Sequence, residues 1–215
     1  MLNETPQLQS KLTRGTQPRV KRFHHGSLRQ ALLDAALAAP DIEGLSLNQL
    51  AAGAGVTTAA VYRHFTSRED LLDEVARIGF DRLEARFAAA FDIARPPENA
   101  SDAKSRLGRL AQAYLQFADD ESALWRLMFG SQAAAYRAMA KPLVRRNSYD
   151  YLPAALLGLH LCGVVSQEPD ERDALFAWSA IHGAAMLRAG RVSSALGSTV
   201  GLAGDVADRV LRSLR

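Results

Sequence analysis

The chain has 215 residues, 48% of them hydrophobic and 23% charged, with 26 Lys and Arg set against 23 Asp and Glu. A chain this long buries about 70% of its unfolded surface as one large domain or two small ones, so it needs no covalent staple. Its one cysteine, Cys162, excludes an intrachain disulfide framework and points to a reducing compartment, the cytoplasm. The longest uncharged stretch, residues 151–167, is too short for a membrane span and carries Pro153 and His160, so it is expected to be a buried helix.

The N-terminus is polar and then basic, without the apolar run of a secretory signal. The net charge of +3 is unevenly placed: Lys11, Arg14, Arg19, Lys21 and Arg22 are opposed in that segment only by Glu4. Residues 1–23 hold too little apolar surface to fold alone, and they suit either a polyanionic partner or a solvated tail.

From residue 26 onward the periodicity and punctuation are helical, with almost no strand signal. Ser27 with Gln30 reads as a capping box, and Leu28, Leu32, Ala35 and Ala39 share a face until Pro40 stops the helix. Ser46 with Gln49 repeats the device and opens a second helix with Leu47, Leu50 and Ala51 inward, closed by Gly53 and Gly55. Thr57 can cap a third helix in which Val61 and Phe65, four apart, address one core. Ser67 with Asp70 opens a longer helix toward Phe91, and the two prolines in residues 95–99 break the pattern. Further helices are expected over 102–119, 122–129, 132–163 with disturbance at Pro142 and Pro153, 169–189 and 199–214.

Two short helices joined by a small-residue turn, residues 51–56, fit a helix-turn-helix, whose second helix enters the DNA major groove. With Val61 and Phe65 turned inward, Tyr62, Arg63 and His64 form the groove-facing set. Arg63 suits bidentate donation to guanine, and Thr57 or Thr58 can bond bases or phosphates. Ala59 permits close approach, Tyr62 offers a hydroxyl to a phosphate and a ring to a thymine methyl, and His64 and Arg68 can meet the backbone. Ser46 and Asn48, at the start of the second helix, complete the expected DNA-contact set.

The runs "HHGSLRQALLDAAL" and "LSLNQLAAGAGVTTAAVYRHFTSREDLL" resemble the N-terminal DNA-binding domain of TetR-family transcriptional regulators over residues 24–75. By that resemblance Thr57, Thr58, Tyr62, Arg63 and His64 are operator-contacting positions and Arg68 is a phosphate anchor. "ALWRLMFG" and "LFAWSAIHGAAML" resemble the second domain of a TetR subgroup marked by a Trp-His-Gly signature, here Trp178, His182 and Gly183. The resemblance implies an all-helical homodimer, the last two helices packed on their symmetry mates and a ligand cavity in each C-terminal domain. The expected organisation is a basic arm at 1–23, a helix-turn-helix domain at 24–73 and a helical ligand-binding and dimerisation domain at 74–215.

Two departures stand out. The link over residues 38–45 is about one turn shorter than usual for the family and holds Pro40, and Asn48 and Gly53 stand where basic residues are common. Fewer phosphate contacts from the second helix follow, with the basic arm a candidate to compensate.

Phe117, Trp125, Phe129, Tyr136, His160, Trp178 and His182 are candidate lining residues for a largely apolar effector, set against ordinary core packing. His24 and His25 lack Cys, Asp or Glu neighbours at ligand spacing, so neither a metal nor a cofactor is expected. Cys162 reads as a structural thiol. The terminal helix bears Val200, Ala203, Val206, Ala207, Val210 and Leu214 on one stripe, suited to the core or, as function favours, to a dimer interface. The expected function is a dimeric regulator, a repressor released from a near-palindromic operator by a small molecule. Alternatives are an activator or ligand-independent regulator, a protein-interaction module, and a helical enzyme using His182, Cys162 or His160, for which no nucleophile, base and orienter stand at recognisable spacing.

Overall fold

The computed structural model describes residues 25–130, 147–190 and 197–214. The basic arm and Tyr136 lie outside the described residues, and so does the side chain of Ser27. The architecture is all-α, with no strand among the described residues.

The first three helices are α1 (His25–Leu37), α2 (Leu47–Ala54) and α3 (Thr58–Tyr62). Helix α1 ends three residues before Pro40, because the residue preceding a proline is pushed out of the helical region. The short link that follows is pinned by Ile42, which is fully buried, and by Asp41, whose carboxylate accepts from Gly44 N. Ser46 forms the expected capping box with Gln49, each side chain accepting from the other's backbone N–H. Gly55 closes α2 in the left-handed region at φ 68°, which a side chain would oppose.

Helix α4 (Arg68–Ala90) begins at Ser67, which caps Asp70 N, and runs out of the small N-terminal bundle into the larger C-terminal one. Leu71, Leu72 and Val75 on its first turns join Leu32, Leu50, Val61 and Phe65 in the core. Arg29 of α1 lies over the Phe65 ring and reaches Glu74 of α4 at 3.4 Å.

The larger bundle adds α5 (Ala100–Asp120), α6 (Ser122–Phe129), a 3-10 turn (Asn147–Tyr149), α7 (Tyr151–Leu161), α8 (Glu171–Ala189) and α9 (Thr199–Ser213). At Gly79 a Cβ would overlap Met128 Sδ and press on Leu124, so α4 and α6 cross in close contact. Arg82 and Arg86 of α4 pair with Glu121 at 2.5 Å and Asp120 at 2.8 Å, clasping the α5–α6 corner. Asp119 of α5 accepts from Arg188 of α8 at 2.9 Å and from Thr199 of α9 at 2.6 Å, tying the last two helices to α5. Burial works to raise the Asp119 pKa, but the Arg188 and Thr199 bonds prevail and hold it below its ordinary value.

Helix α9 packs on α5 and α8 through Ala203, Ala207 and Val210. That half of the terminal stripe serves the intramolecular core, while Val200 remains exposed. On α8, Leu175, Phe176, Met186 and Leu187 are exposed as well. No helix among the described residues is long and apolar enough to cross a membrane.

Candidate functional site

The α2–α3 pair forms a small rigid head. Ala60 and Val61 anchor α3 inward, and Phe65 seals the core beneath it. Thr57 accepts from Ala60 N as the α3 cap, and Thr58 Oγ1 donates to Asn48 Oδ1 at 3.0 Å, bracing one helix against the other. Helix α3 ends at Tyr62 instead of continuing to Phe65, with His64 and Phe65 N–H groups both turning back to the Val61 carbonyl.

On the outward side stand Tyr62, 53% exposed, together with exposed Arg63, Thr57 and Ala59. The Arg63 guanidinium has no protein partner among the described residues, the condition a base-reading arginine needs. His64 is half-buried beside them. Arg68 is used differently: Nε donates to Leu45 O at 2.9 Å and a terminal nitrogen to Glu43 O, so the start of α4 grips the link between α1 and α2. Ser46 Oγ is likewise occupied by the capping box.

The second feature is an apolar cavity of about 180 Å³ inside the larger bundle. Helices α5, α7 and α8 supply most of its wall, including Leu110, Leu152, Leu175, Trp178 and Ile181. Phe87 of α4 and the 3-10 turn, with Ser148 and Tyr149, add to the wall, which is open in part where Tyr149 and Leu175 are exposed. Among the described residues no charged side chain lines it.

Behind Trp178 is a bonded aromatic cluster. Trp125 Nε1 donates to Tyr114 Oη at 3.0 Å, and Tyr114 Oη lies 2.8 Å from His182 Nδ1. Since indole can only donate, Tyr114 accepts from Trp125, and which of Tyr114 Oη and His182 Nδ1 donates to the other is set by the His182 tautomer. Burial pushes the Tyr114 phenol well above its ordinary pKa, so it stays neutral. The His182 ring stacks on Trp178, centroids 5.4 Å apart and planes 17° from parallel.

Residues 32–75 match the family described as bacterial regulatory proteins, tetR family, and residues 107–214 match the tetracyclin repressor-like C-terminal domain. The chain belongs to the TetR family. It is a DNA-binding transcriptional regulator by fold and not an enzyme. A Rhodococcus sp. RHA1 protein of unknown function is 32% identical, with TM-score 0.67 over 93% of this chain and 99% of that one. The TetR-family regulator PfmR from Thermus thermophilus shares the fold at 21% identity, TM-score 0.59, covering 85% of this chain and 97% of that one. A TetR regulator from Legionella pneumophila does so at 17% identity and TM-score 0.52, over 87% and 97%. Among curated proteins nothing matches.

Against this TetR frame the expected effector residues separate. Trp178 lines the main cavity, and Phe129 lines a small adjoining void with Phe80 and Trp178. Trp125 is fully buried and His182 half-buried, and both lie behind the wall in the Tyr114 cluster. Phe117 is fully buried under the Arg86 guanidinium, and His160 lies on α7 outside the lining. Tyr114, Phe87 and Ser148 were not singled out from sequence. Only Tyr114 carried a signal there, as a phenol on the α5 apolar stripe that needs a hydrogen-bond partner once buried.

Proposed function

We propose that this TetR-family protein is a cytoplasmic, dimeric repressor that leaves a near-palindromic operator when a small molecule occupies the C-terminal bundle. The observation that carries the reading is the braced α2–α3 head, which presents Arg63 and Tyr62 outward over a locked Val61 and Phe65. Arg63 reads a guanine, Tyr62 and Thr57 contact backbone or thymine methyl, and Ala59 allows the approach. Asn48 and Thr58 hold the head in shape and reach phosphates from its edge. His64 flanks the contact.

Dimerisation is supported by the apolar side chains left exposed on the last two helices, Phe176, Met186, Leu187 and Val200. A two-fold dimer places identical heads about one helical turn of DNA apart and multiplies the selectivity of one short helix. Release by effector is supported by the cavity, whose wall includes Phe87 of α4, the helix that leads to the head. A ligand weakens DNA binding only through its differential affinity for the two head spacings. The domain division follows: an arm to residue 23, a head through residue 73 and an effector and dimerisation domain beyond.

The test is selection of duplexes from a random library at about 150 mM salt, where nonspecific attraction is suppressed. An inverted repeat is expected, with Arg63→Ala losing about 10- to 100-fold in affinity while its folding is unchanged. A head without sequence preference, or Arg63→Ala binding like wild type, overturns the reading.

A further inference from the structure

The chemistry of the cavity limits what can occupy it. At about 180 Å³ it is only slightly larger than an apolar void of about 150 Å³ that holds one benzene. Its occupant is therefore one ring with a short substituent, or an aliphatic molecule of that bulk. With no Arg, Lys, His, Asp or Glu among the described lining residues, an ionised ligand would lose its hydration and find no countercharge in that wall. Tyr114 is itself held neutral by burial, so the wall supplies no phenolate to offset a cation.

One polar valence remains open. Ser148 is 7% exposed, lies in the wall, and its hydroxyl makes no hydrogen bond among the described residues. The Tyr114 hydroxyl, also in the wall, is already engaged with both Trp125 and His182. A hydroxyl placed in such a wall without a protein partner is available to a polar atom of an occupant. A lone water, needing two to four polar neighbours, is poorly served by such a wall.

We propose that the cavity binds an uncharged, single-ring-sized apolar molecule that carries one hydroxyl or carbonyl and pairs it with Ser148. As an effector class this rests on the reading of the protein as an effector-released repressor; as a binding property it does not. A carboxylate or an ammonium group finds no countercharge among the described lining residues.

The experiment is calorimetric titration of the full chain, without DNA, using 4-ethylphenol, ethylbenzene, 4-ethylbenzoate and 4-ethylbenzylammonium at pH 7. 4-Ethylphenol is expected to bind tightest, and the two ions at least about a hundredfold more weakly. Ser148→Ala is expected to weaken 4-ethylphenol about fivefold and leave ethylbenzene unchanged, because only the phenol loses a hydrogen bond. Ala174→Leu, which fills the wall of the cavity, is expected to weaken both neutral probes together. The proposal is overturned if an ion binds as well as the phenol, if neither neutral probe binds with a Kd below about 1 mM, or if Ser148→Ala treats the two neutral probes alike. Adding the selected operator separates the two ideas: neutral probes that bind without displacing DNA uphold the cavity chemistry and defeat only the effector reading.

Discussion

Replacing Tyr114 by Phe removes one oxygen from the aromatic cluster and leaves the ring in place, so its cost reports hydrogen bonding almost alone. Two partners lose a bond at once: Trp125 Nε1, fully buried at 3.0 Å, and His182 Nδ1, half-buried at 2.8 Å. An orphaned buried polar group costs about 1–3 kcal/mol. Taking the lower part of that range for the half-buried imidazole gives a total of about 2–4 kcal/mol. With a urea slope of about 3 kcal/mol/M, the unfolding midpoint falls by about 1 M. The measurement is urea denaturation followed by far-ultraviolet circular dichroism, at fixed protein concentration and without ligand, since dimerisation and binding both shift apparent stability. A loss below about 0.5 kcal/mol would mean that Trp125 and His182 do not depend on this hydroxyl, and the cluster as described would be wrong.

Arg68→Ala is expected to lower stability by about 1.5–3 kcal/mol through loss of its bonds to Leu45 O and Glu43 O. The salt dependence of operator binding should then stay unchanged; a slope reduced by about 1 would put this guanidinium on a phosphate instead. Deleting residues 1–22 removes Lys11, Arg14, Arg19, Lys21 and Arg22 and is expected to lower operator affinity and reduce the salt slope by up to about 4. An unaltered slope would make the arm a solvated tail. Asp119→Asn is expected to destabilise the protein at neutral pH, with the difference from wild type vanishing in acid. The folded carboxyl titrates below its unfolded value, so its contribution is present above about pH 4 and is lost as pH falls through the folded pKa. A pH-independent difference in thermal unfolding between pH 7 and pH 2 would contradict this.

What could be read in the sequence was local. Ser46 with Gln49, Thr57 and Ser67 are caps whose chemistry acts within one turn, and each bonds as its spacing requires. Of the two glycines expected to close α2, Gly55 is the one that does so, in the left-handed conformation that glycine adopts most easily. Residues 122–129 were bounded as the helix forms, while α1 and α3 both stop short of their expected ends. Nothing local signalled that Arg68 would meet carbonyls more than twenty residues earlier. The cavity was the least legible feature. Phe117 and Tyr114 sit on the same helix, yet one faces Arg86 and the other the cavity, and that depends on how five elements converge. Ser148 is an ordinary serine until the fold sets it in the cavity wall.

The crowding at Gly79 gives the molecule a fulcrum. Because the Met128 and Leu124 side chains fill the space that a β-carbon would need, α6 lies close against α4 there, and a shift of one helix bears on the other. From Gly79 to Arg68 is eleven residues of unbroken helix, about 16 Å at 1.5 Å per residue. A tilt of about 10° at the crossing would swing the Arg68 end through about 3 Å along that arm. Arg68 holds the link between α1 and α2, so the whole head travels with the end of the rod. In a two-fold pair of the kind proposed, the two swings add, and a tilt of that size puts the heads out of step with the pitch of DNA.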